Sequence, residues 1–396
     1  MFESLYESQR EIATQLANQI GGETFSQVNL FGGNRYSLRM TTALETARIL
    51  SCQGDRSEHC RCDSCRKFEL LTTTNLVIVS QRDHNRVIET AINSFIRLRN
   101  DFSRRFLIRN TRVFLLQYHG SLMSGSQTQA QSANYDNASL VNDLLMDLSA
   151  LKSDITEKEA KAIAQALRSA LKPLFLSAKR NTTITVNQVR ALEEWINETS
   201  ARSQKRFIII ESLEQANASA RNGLLKMLEE PPADVYFTLI SEYPGRIMQT
   251  ILSRVRKYSF APLRKKAVQA LLAPFFLGDQ EYDDLEQFFL QGGGLDLAEA
   301  KKQVSLVTDS LASNTYLGTE AFSALLAKVD ENDSYEYLLK GILSSVEQQF
   351  IEGTVSYDRA HLLEALVSAS LSNAQRFNQN KKLMFEALYY SMMEKQ

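Results

Sequence analysis

The sequence predicts an α/β core, in which helices flank a parallel sheet, followed by an all-helical C-terminal part. Residues 207–210 and 235–240 are continuous apolar runs rich in aromatic and β-branched side chains, as in parallel strands buried on both faces. Between them, residues 217–230 carry apolar side chains at helical spacing and end at Pro231 and Pro232, which stop a helix. After Pro262 helical periodicity continues to the end of the chain.

Length and composition limit the class of protein. The chain has 396 residues, of which 44% are hydrophobic, enough for about two or three domains with proper cores. The formal net charge of −1 gives no bulk attraction to nucleic acid. No apolar run reaches membrane-spanning length, and the N-terminal segment is polar and amphipathic, unlike a secretory signal. We therefore expect a cytoplasmic protein that does not associate with a membrane.

All four cysteines of the chain fall within residues 52–65. Thiols so close together, in a chain without a signal peptide, favour metal ligation over disulfides, and thiolates in tetrahedral sets select Zn²⁺. The simplest ligand set is Cys52, Cys60, Cys62 and Cys65. Because the spacing from Cys60 to Cys62 is tight, His59 in place of Cys60 is an alternative, and four metal-free thiols are another. Four protein ligands leave no open position, so we expect a structural zinc.

One stretch carries a resemblance to a known family. Asn222-Gly223-Leu224-Leu225-Lys226 is followed by Leu228-Glu229-Glu230-Pro231-Pro232, then by a second strand and by Ser253-Arg254-Val255. This order resembles the γ/τ and δ′ subunits of the bacterial DNA polymerase III clamp loader, which are AAA+ proteins. Taken alone, the residues indicate an amphipathic helix and a break. The zinc module also departs from the family pattern, which has C-x-x-C-x-x-C where this chain has Cys60-x-Cys62.

The resemblance implies a phosphate-binding loop upstream, and residues 30–43 are the candidate. A working loop reads G-x-x-x-x-G-K-[S/T]. Aligned on Gly33, the chain has Leu38 for the second glycine, Arg39 for the lysine and Met40 for the hydroxyl. The side chain of Leu38 would hinder the tight turn of the backbone around the phosphates. The thioether of Met40 is a poor ligand for Mg²⁺.

The resemblance also implies a pair of acids at the end of the predicted strand at residues 207–210, and this pair is incomplete. Residues 207–210 lead into Glu211 and Ser212, whereas a hydrolysing member has two acids there, which serve the magnesium ion and the attacking water. With both elements degenerate, we expect a chain that binds no ATP and is not an enzyme by itself, as in the non-hydrolysing δ′ subunit.

Arg254 is the candidate for direct participation in catalysis. In the family the arginine of this triplet reaches across a subunit interface and stabilises charge on the γ-phosphate of a neighbour, which is the arginine-finger role. The alternative is a structural arginine that caps the end of a helix, where cations are favoured.

The resemblance predicts three domains. Residues 1–261 form the AAA+ core, with the zinc module at 52–65 and a helical insert at about 81–183 that has no counterpart in the family pattern. Residues 262–307 resemble the three-helix lid and residues 308–396 the helical collar through which loader subunits form a ring.

The insert carries two features of its own. A cluster of arginines interleaved with Phe102 and Phe106 fits either a nucleic-acid contact or an amphipathic helix with a basic face; its members are Arg97, Arg99, Arg104, Arg105, Arg109 and Arg112. Residues 124–138 are polar and nearly uncharged, which predicts a loop.

The resemblance therefore implies a δ′-like stator subunit. We expect it to join γ/τ and δ subunits in a hetero-pentamer that loads the sliding clamp onto primed DNA, and to supply Arg254 in trans. One alternative is a diverged γ/τ-type ATPase. Another is a nucleic-acid-binding adaptor that uses the arginines of the insert.

Overall fold

A parallel five-stranded sheet forms the centre of the fold in the computed structural model. The structure describes residues 1–119, 122, 131–180, 183–197, 204–278, 281–329, 334–376 and 380–394. The strands lie side by side in the order β2-β3-β4-β1-β5. Their bounds are β1 (Val28–Gly33), β2 (Leu76–Val79), β3 (Arg206–Glu211), β4 (Val235–Ser241) and β5 (Arg256–Phe260).

Helices account for most of the remaining described structure. In chain order they are α1 (Arg10–Gly21), α2 (Arg39–Ser51), α3 (Asp63–Glu69), α4 (Asn85–Leu98), α5 (Asp101–Leu115), α6 (Gln131–Ala150), α7 (Glu157–Arg180), α8 (Val186–Asn197), α9 (Ala218–Glu229), α10 (Gln249–Leu252), α11 (Lys265–Leu272), α12 (Leu285–Gly292), α13 (Leu297–Ser313), α14 (Thr319–Val329), α15 (Ser334–Ile351), α16 (Tyr357–Arg376) and α17 (Lys381–Glu394). The predicted fold class, a parallel sheet with flanking helices followed by helical segments, is confirmed.

The sheet is buried on both faces, as its apolar runs predict. Along β3, Ile208 and Ile210 join a core cluster with residues of α8 and α9. Their neighbours Phe207 and Ile209 join a second cluster with residues of α1 and α2. This alternation follows from the two-residue period of a strand. Because β1 and β3 both pair with β4 in parallel, their carboxyl ends lie at one edge of the sheet, where ligands of open α/β folds bind.

The insert forms a helical layer with its own core. Apolar side chains of α4, α5, α6 and α7 pack together, among them Phe95, Leu107, Leu144 and Leu171. Helix α7 begins with the capping box that the sequence indicates, because Glu159 accepts the Thr156 backbone N–H at 2.7 Å. The predicted loop at 124–138 is wrong in its second half, where α6 already begins at residue 131; residues 124–130 lie outside the described residues.

Two sets of contacts join the insert to residues outside it. The ring of Phe275 meets Phe102 and Phe106 edge to face, with centroid distances of 4.9 and 5.0 Å, and Arg97 donates to the Phe275 carbonyl oxygen at 3.0 Å. Arg105 of α5 pairs with Glu69 of α3 at 2.9 Å. These contacts fix α5 against residues 273–275 and against α3.

The chain divides into two compact units, Met1–Glu286 and Gln287–Gln396. The second unit has its own core, built from α13 to α17, with Tyr335, Ile342 and Phe385 at its centre. The three domains expected from the sequence, with bounds at 261 and 307, stay a prediction. Among the described residues, no helix combines the length and apolar content needed to cross a membrane.

Candidate functional site

The loop after β1 keeps the strand-loop-helix layout of a phosphate site but is closed by its own contacts. Gly33 has φ of 145°, and a Cβ there would overlap the carbonyl oxygen of Phe260, so a glycine is required for packing against β5. The hydroxyl of Ser37 donates to the Asn34 carbonyl oxygen at 2.6 Å. Gln9 donates to the carbonyl oxygens of Ser37 and Ala261 at 3.1 and 2.7 Å, which ties the loop to the residue after β5.

Two of the three residues at the predicted phosphate-loop positions, Leu38 and Met40, pack toward the core. Both pack against the cluster on the α1 and α2 side of the sheet. Leu38 does so with φ of 68°, in the left-handed region that suits glycine. Side chains thus pack inward at the positions where a working loop has a glycine and a magnesium-binding hydroxyl.

Glu211, the surviving acid of the pair, is bound within the chain. It is 6% exposed; its Oε2 accepts the Ser80 hydroxyl at 2.8 Å and its Oε1 lies 3.2 Å from Arg82 Nη1. Ser212 follows in the left-handed conformation, with φ of 61°. The carboxylate that would serve magnesium in an ATPase therefore already has a hydroxyl and a guanidinium as partners.

His84 completes this network. Its Nε2 lies 3.2 Å from Ser80 Oγ and its Nδ1 lies 3.4 Å from Arg82 Nη2. Burial lowers the pKa of His84 well below its usual value, and Arg82 and Arg35 add to the effect. A neutral ring that accepts at Nδ1 and donates from Nε2 gives a continuous path from Arg82 through Ser80 to Glu211. We assign the tautomer from this network.

Arg39, at the lysine position, is 3% exposed. Its Nη2 lies 3.7 Å from Glu242 Oε1, while its Nε and Nη1 contact no acceptor among the described residues. Burial lowers the pKa of Arg39, and the carboxylates of Glu242, Glu211 and Glu214 oppose that shift. Burial raises the pKa of Glu242 in turn, against Arg35 and Arg39.

Charged side chains of both signs lie around the loop after β1, which we call the remnant site. Arg39 lies near Glu242, and Arg82 pairs with Glu211. The charge of Glu214 opposes the lowering of the Arg39 pKa by burial, and the charge of Arg35 opposes the rise of the Glu242 pKa by burial. The sequence pattern indicated Arg39 and Glu211 but missed Ser80, Arg82, His84 and Glu242, which match no motif. A polar cluster directly after an apolar strand, as at Ser80 to His84, is the signal that could have found the first three.

Glu211→Ala is expected to destabilise the protein by about 3–5 kcal/mol, because it removes a buried carboxylate and leaves the guanidinium of Arg82, whose side chain is only 17% exposed, and the Ser80 hydroxyl without their acceptor. Urea or thermal unfolding measures the effect. Glu193→Ala is the matched control, since the pair between Glu193 and Lys226, 3.1 Å apart, is exposed and contributes about 0–1 kcal/mol. Equal losses for the two variants would contradict the buried network.

Arg254 lies at the protein surface, directly after α10. Its side chain is 35% exposed; Nη2 lies 2.6 Å from Glu229 Oε1, and Nη1 donates to the Thr250 carbonyl oxygen at 2.7 Å. The hydrogen bond to the Thr250 carbonyl oxygen is the helix-end contact expected of a structural arginine. The pair with Glu229 links Arg254 to the last residue of α9. Nη1 also donates to Ser253 Oγ at 3.3 Å. The guanidinium is held by these three contacts but remains partly open to solvent, so its reach to a neighbouring subunit stays a prediction.

The four cysteines come together as a metal site requires. One sulfur from each of Cys52, Cys60, Cys62 and Cys65 lies within 4.8 Å of the others, close to the ~3.8 Å between ligands around a zinc with Zn–S bonds of about 2.3 Å. Two of the separations are 3.5 and 3.9 Å, from Cys52 Sγ to those of Cys60 and Cys62. Four thiols in this arrangement fit a closed structural zinc site.

His59, the alternative ligand, lies apart from this cluster. Its side chain is 85% exposed, and its Nε2 lies 3.7 Å from Glu58. The geometry therefore favours the four-cysteine set. Gly54 contributes by its lack of a side chain, because a Cβ there would approach Cys60 Sγ to 2.8 Å.

Arg48 joins the cysteine cluster to α2. Its Nη1 donates to Cys65 Sγ at 3.0 Å, and its Nε and Nη2 donate to Glu45 at 2.8 and 2.7 Å. A hydrogen bond to a thiolate offsets part of the negative charge of a four-cysteine site and orients the ligand. The same helix begins at the closed loop, so the module and the remnant site share one element.

The arginines of the insert mostly bind acceptors of this chain. Arg104 pairs with Asp101 at 2.6 Å, and Arg105 pairs with Asp101 as well as Glu69. Arg112 is buried and donates to Ser149 Oγ at 2.8 Å and to the Leu70 carbonyl oxygen. Guanidinium groups used in this way favour a structural role over a contact with nucleic acid.

Comparison with curated proteins finds relatives over part of the chain. The DNA polymerase III subunit delta' of Bacillus subtilis is 43% identical over 96 residues, 24% of this chain and 29% of that protein. The delta' subunit of Escherichia coli is 34% identical over 84 residues, 21% and 25% of the two chains. The gamma/tau subunit of Mycobacterium tuberculosis is 31% identical over 88 residues, 22% and 15%. Each match spans less than a third of the relative.

A solved structure of a DNA polymerase III gamma subunit-related protein from Thermotoga maritima also matches. It covers 54% of this chain and 80% of its own, with 16% identity and a TM-score of 0.34, values too low to carry an argument about function. The family model described as DNA polymerase III, delta subunit, matches residues 8–129 and 117–264, which is more than half of the chain. The chain therefore belongs to this family of clamp-loader subunits.

Proposed function

We propose that the chain is a δ′-like subunit of a DNA polymerase III clamp loader, one that binds no ATP and supplies Arg254 to a neighbour. The single observation that carries the proposal is the contrast between two sites. Leu38, Met40 and internal ion pairs fill the remnant nucleotide site, whereas the guanidinium of Arg254 stays at the surface.

In this proposal Arg254 exchanges partners when the loader assembles. It leaves the carboxylate of Glu229 and donates to the γ-phosphate of ATP on an adjacent γ/τ subunit, where it stabilises the charge that develops during transfer. An arginine suits this position because its planar group stays charged and binds phosphate through two donors. The chain itself makes and breaks no covalent bond.

The remaining parts serve assembly. Zinc at the four cysteines would hold the module against α2, and α5 of the insert packs against residues 273–275, so that the subunit acts as a rigid stator. We propose γ/τ and δ subunits as partners in a hetero-pentamer, and the sliding clamp and primed DNA as what the pentamer acts on. A cytoplasmic site of action accords with this role.

The isolated chain is expected to show no saturable binding of ATP or ADP at concentrations of about 1 mM, which would reveal even a Kd of ~1 mM, a binding free energy of about −4.1 kcal/mol. The physical reason is the loop after β1, in which Leu38 and Met40 pack toward the core at the positions where a working loop has a glycine and a magnesium-binding hydroxyl. Calorimetry or a fluorescent nucleotide measures binding, with the γ/τ subunit encoded by the same genome as the positive control.

A diverged γ/τ-type ATPase is the second candidate, because gamma/tau proteins are among the relatives. Magnesium-dependent binding of ATP by the isolated chain, lost on Arg39→Ala, would favour this candidate and overturn the first.

A further inference from the structure

The ion pair between Arg254 and Glu229 is the feature that the proposed function leaves unexplained. Arg254 Nη2 lies 2.6 Å from Glu229 Oε1, a short, charge-assisted contact. Nη1 donates to the Thr250 carbonyl oxygen at 2.7 Å and to Ser253 Oγ at 3.3 Å, and both of these acceptors are neutral. Within the described part of the chain, Glu229 is therefore the residue that forms an ion pair with this guanidinium.

The place of Glu229 in the fold is electrostatically unfavourable. It is the last residue of α9, and the C-terminal end of a helix favours cations and disfavours carboxylates. Lys226, the cation in the last turn of the same helix, pairs with Glu193 at 3.1 Å instead. Helix formation therefore gives no reason for a carboxylate at this position, whereas the contact with Arg254 does.

The pair lies close enough to the surface to exchange partners. The side chains of Arg254 and Glu229 are 35% and 49% exposed, and exposed ion pairs stabilise a fold only weakly. A phosphate group accepts hydrogen bonds from a guanidinium in the same two-donor geometry as a carboxylate does. The γ-phosphate of a neighbouring subunit can therefore take the place of the Glu229 carboxylate.

We infer that Glu229 is a positioning residue, an internal counter-ion that competes with the γ-phosphate of ATP on the neighbouring subunit for Arg254. Its carboxylate binds the guanidinium until that phosphate displaces it, so the arginine is held back while the neighbouring site holds no γ-phosphate. Glu229 acts through Arg254 and does not itself contact the nucleotide. The inference rests on the proposed function, in which Arg254 meets that phosphate, and adds a residue that regulates the encounter.

The first test uses the isolated full chain and needs no partner. Phenylglyoxal modifies accessible guanidinium groups, and mass spectrometry locates the modified arginine. Glu229→Gln keeps the size of the side chain and removes its charge, so Arg254 should react about threefold faster than in the wild type, the factor expected for loss of an exposed ion pair. Glu230→Gln is the matched control: it removes the same charge at the next position, which is exposed and forms no ion pair within the described residues, and should react as the wild type does.

The second test measures ATP hydrolysis by the reconstituted loader. Glu229→Gln should lower the apparent KM for ATP about twofold to threefold and leave kcat unchanged, because it removes a competitor for Arg254 in the ground state and the transition state alike. Glu230→Gln should change neither constant. In a chain that already carries Arg254→Ala, Glu229→Gln should have no further effect, since the carboxylate acts only through the arginine. Size exclusion and circular dichroism verify assembly and folding of every variant.

The outcomes separate this inference from the proposed function. Equal modification of Arg254 in the wild type and Glu229→Gln, or an unchanged KM, overturns the inference and leaves the proposed function standing. A lower kcat for Glu229→Gln also overturns it, because the carboxylate would then orient the guanidinium instead of competing for it. Unchanged turnover with Arg254→Ala in an intact loader overturns the proposed function and, with it, the role of Glu229. Faster modification together with a lower KM, both absent from Glu230→Gln, supports the inference.

Discussion

Replacing Arg254 by alanine is expected to lower the DNA- and clamp-stimulated ATPase of the reconstituted loader at least tenfold. A guanidinium supplied in trans accelerates turnover by about 10³–10⁵-fold in related phosphoryl transfers. Because the proposed loader has several ATP sites, the loss of one arginine finger should lower its total ATPase rate by less than this factor. Since the Arg254 side chain is already 35% exposed and bound to an exposed Glu229, its removal should cost the fold little.

Three controls make the Arg254 result specific. Size exclusion must show that the loader containing Arg254→Ala still assembles. Lys257→Ala removes an exposed cation three residues further along the chain and should leave turnover unchanged. Arg254→Lys keeps the charge but loses the two-donor geometry, so it should restore only part of the rate. Full turnover in an intact loader containing Arg254→Ala would reduce Arg254 to the cap of α10.

Loss of the metal is the second large effect expected. We predict one zinc per chain, and that Cys62→Ser or Cys65→Ser will lose it. Metal binding to sites of this type contributes about 10–16 kcal/mol in isolated zinc modules; in this chain the core retains the sheet, so we expect a lower thermal midpoint and a locally unfolded module rather than global unfolding. Elemental analysis and thermal denaturation measure the two effects.

The histidine beside the cluster offers the matched control for zinc. His59→Ser should keep its zinc, because the His59 side chain is 85% exposed and the clustered ligand atoms are those of the four cysteines, whereas Cys60→Ser should lose it. The reverse pattern, with metal retained in Cys60→Ser and lost in His59→Ser, would establish the alternative ligand set.

The apolar runs of β3 and β4 and the helix between them followed from the sequence because burial on both faces leaves a continuous hydrophobic pattern. The departures at Leu38, Arg39 and Met40 were equally visible, since a phosphate loop tolerates few residue types. The spacing of four cysteines in one window predicted that they would meet, because the ligands are close in the chain.

Contacts between distant residues could not be predicted in this way. Ser80 and Glu211 are 131 positions apart in the chain. The polar cluster after β2 marks Ser80, Arg82 and His84 as candidates, but nothing local identifies the strand-end acid as their partner. The packing of the Leu38 side chain toward the core likewise depends on distant residues, because α1 contributes to the hydrophobic cluster that it contacts. The start of α6 at residue 131 was missed because Ser, Gln and Asn are common in loops, and their propensity predicts a helix only weakly.

The most direct test is a structure of the assembled loader with an ATP analogue and magnesium. We predict that a guanidinium nitrogen of Arg254 lies about 2.7–2.9 Å from a γ-phosphate oxygen of the adjacent subunit, as charge-assisted hydrogen bonds do, and that the loop after β1 of this chain holds no nucleotide. Nucleotide seated at Arg39, or an Arg254 that remains on Glu229 while the neighbouring site is filled, would contradict the role proposed for this subunit.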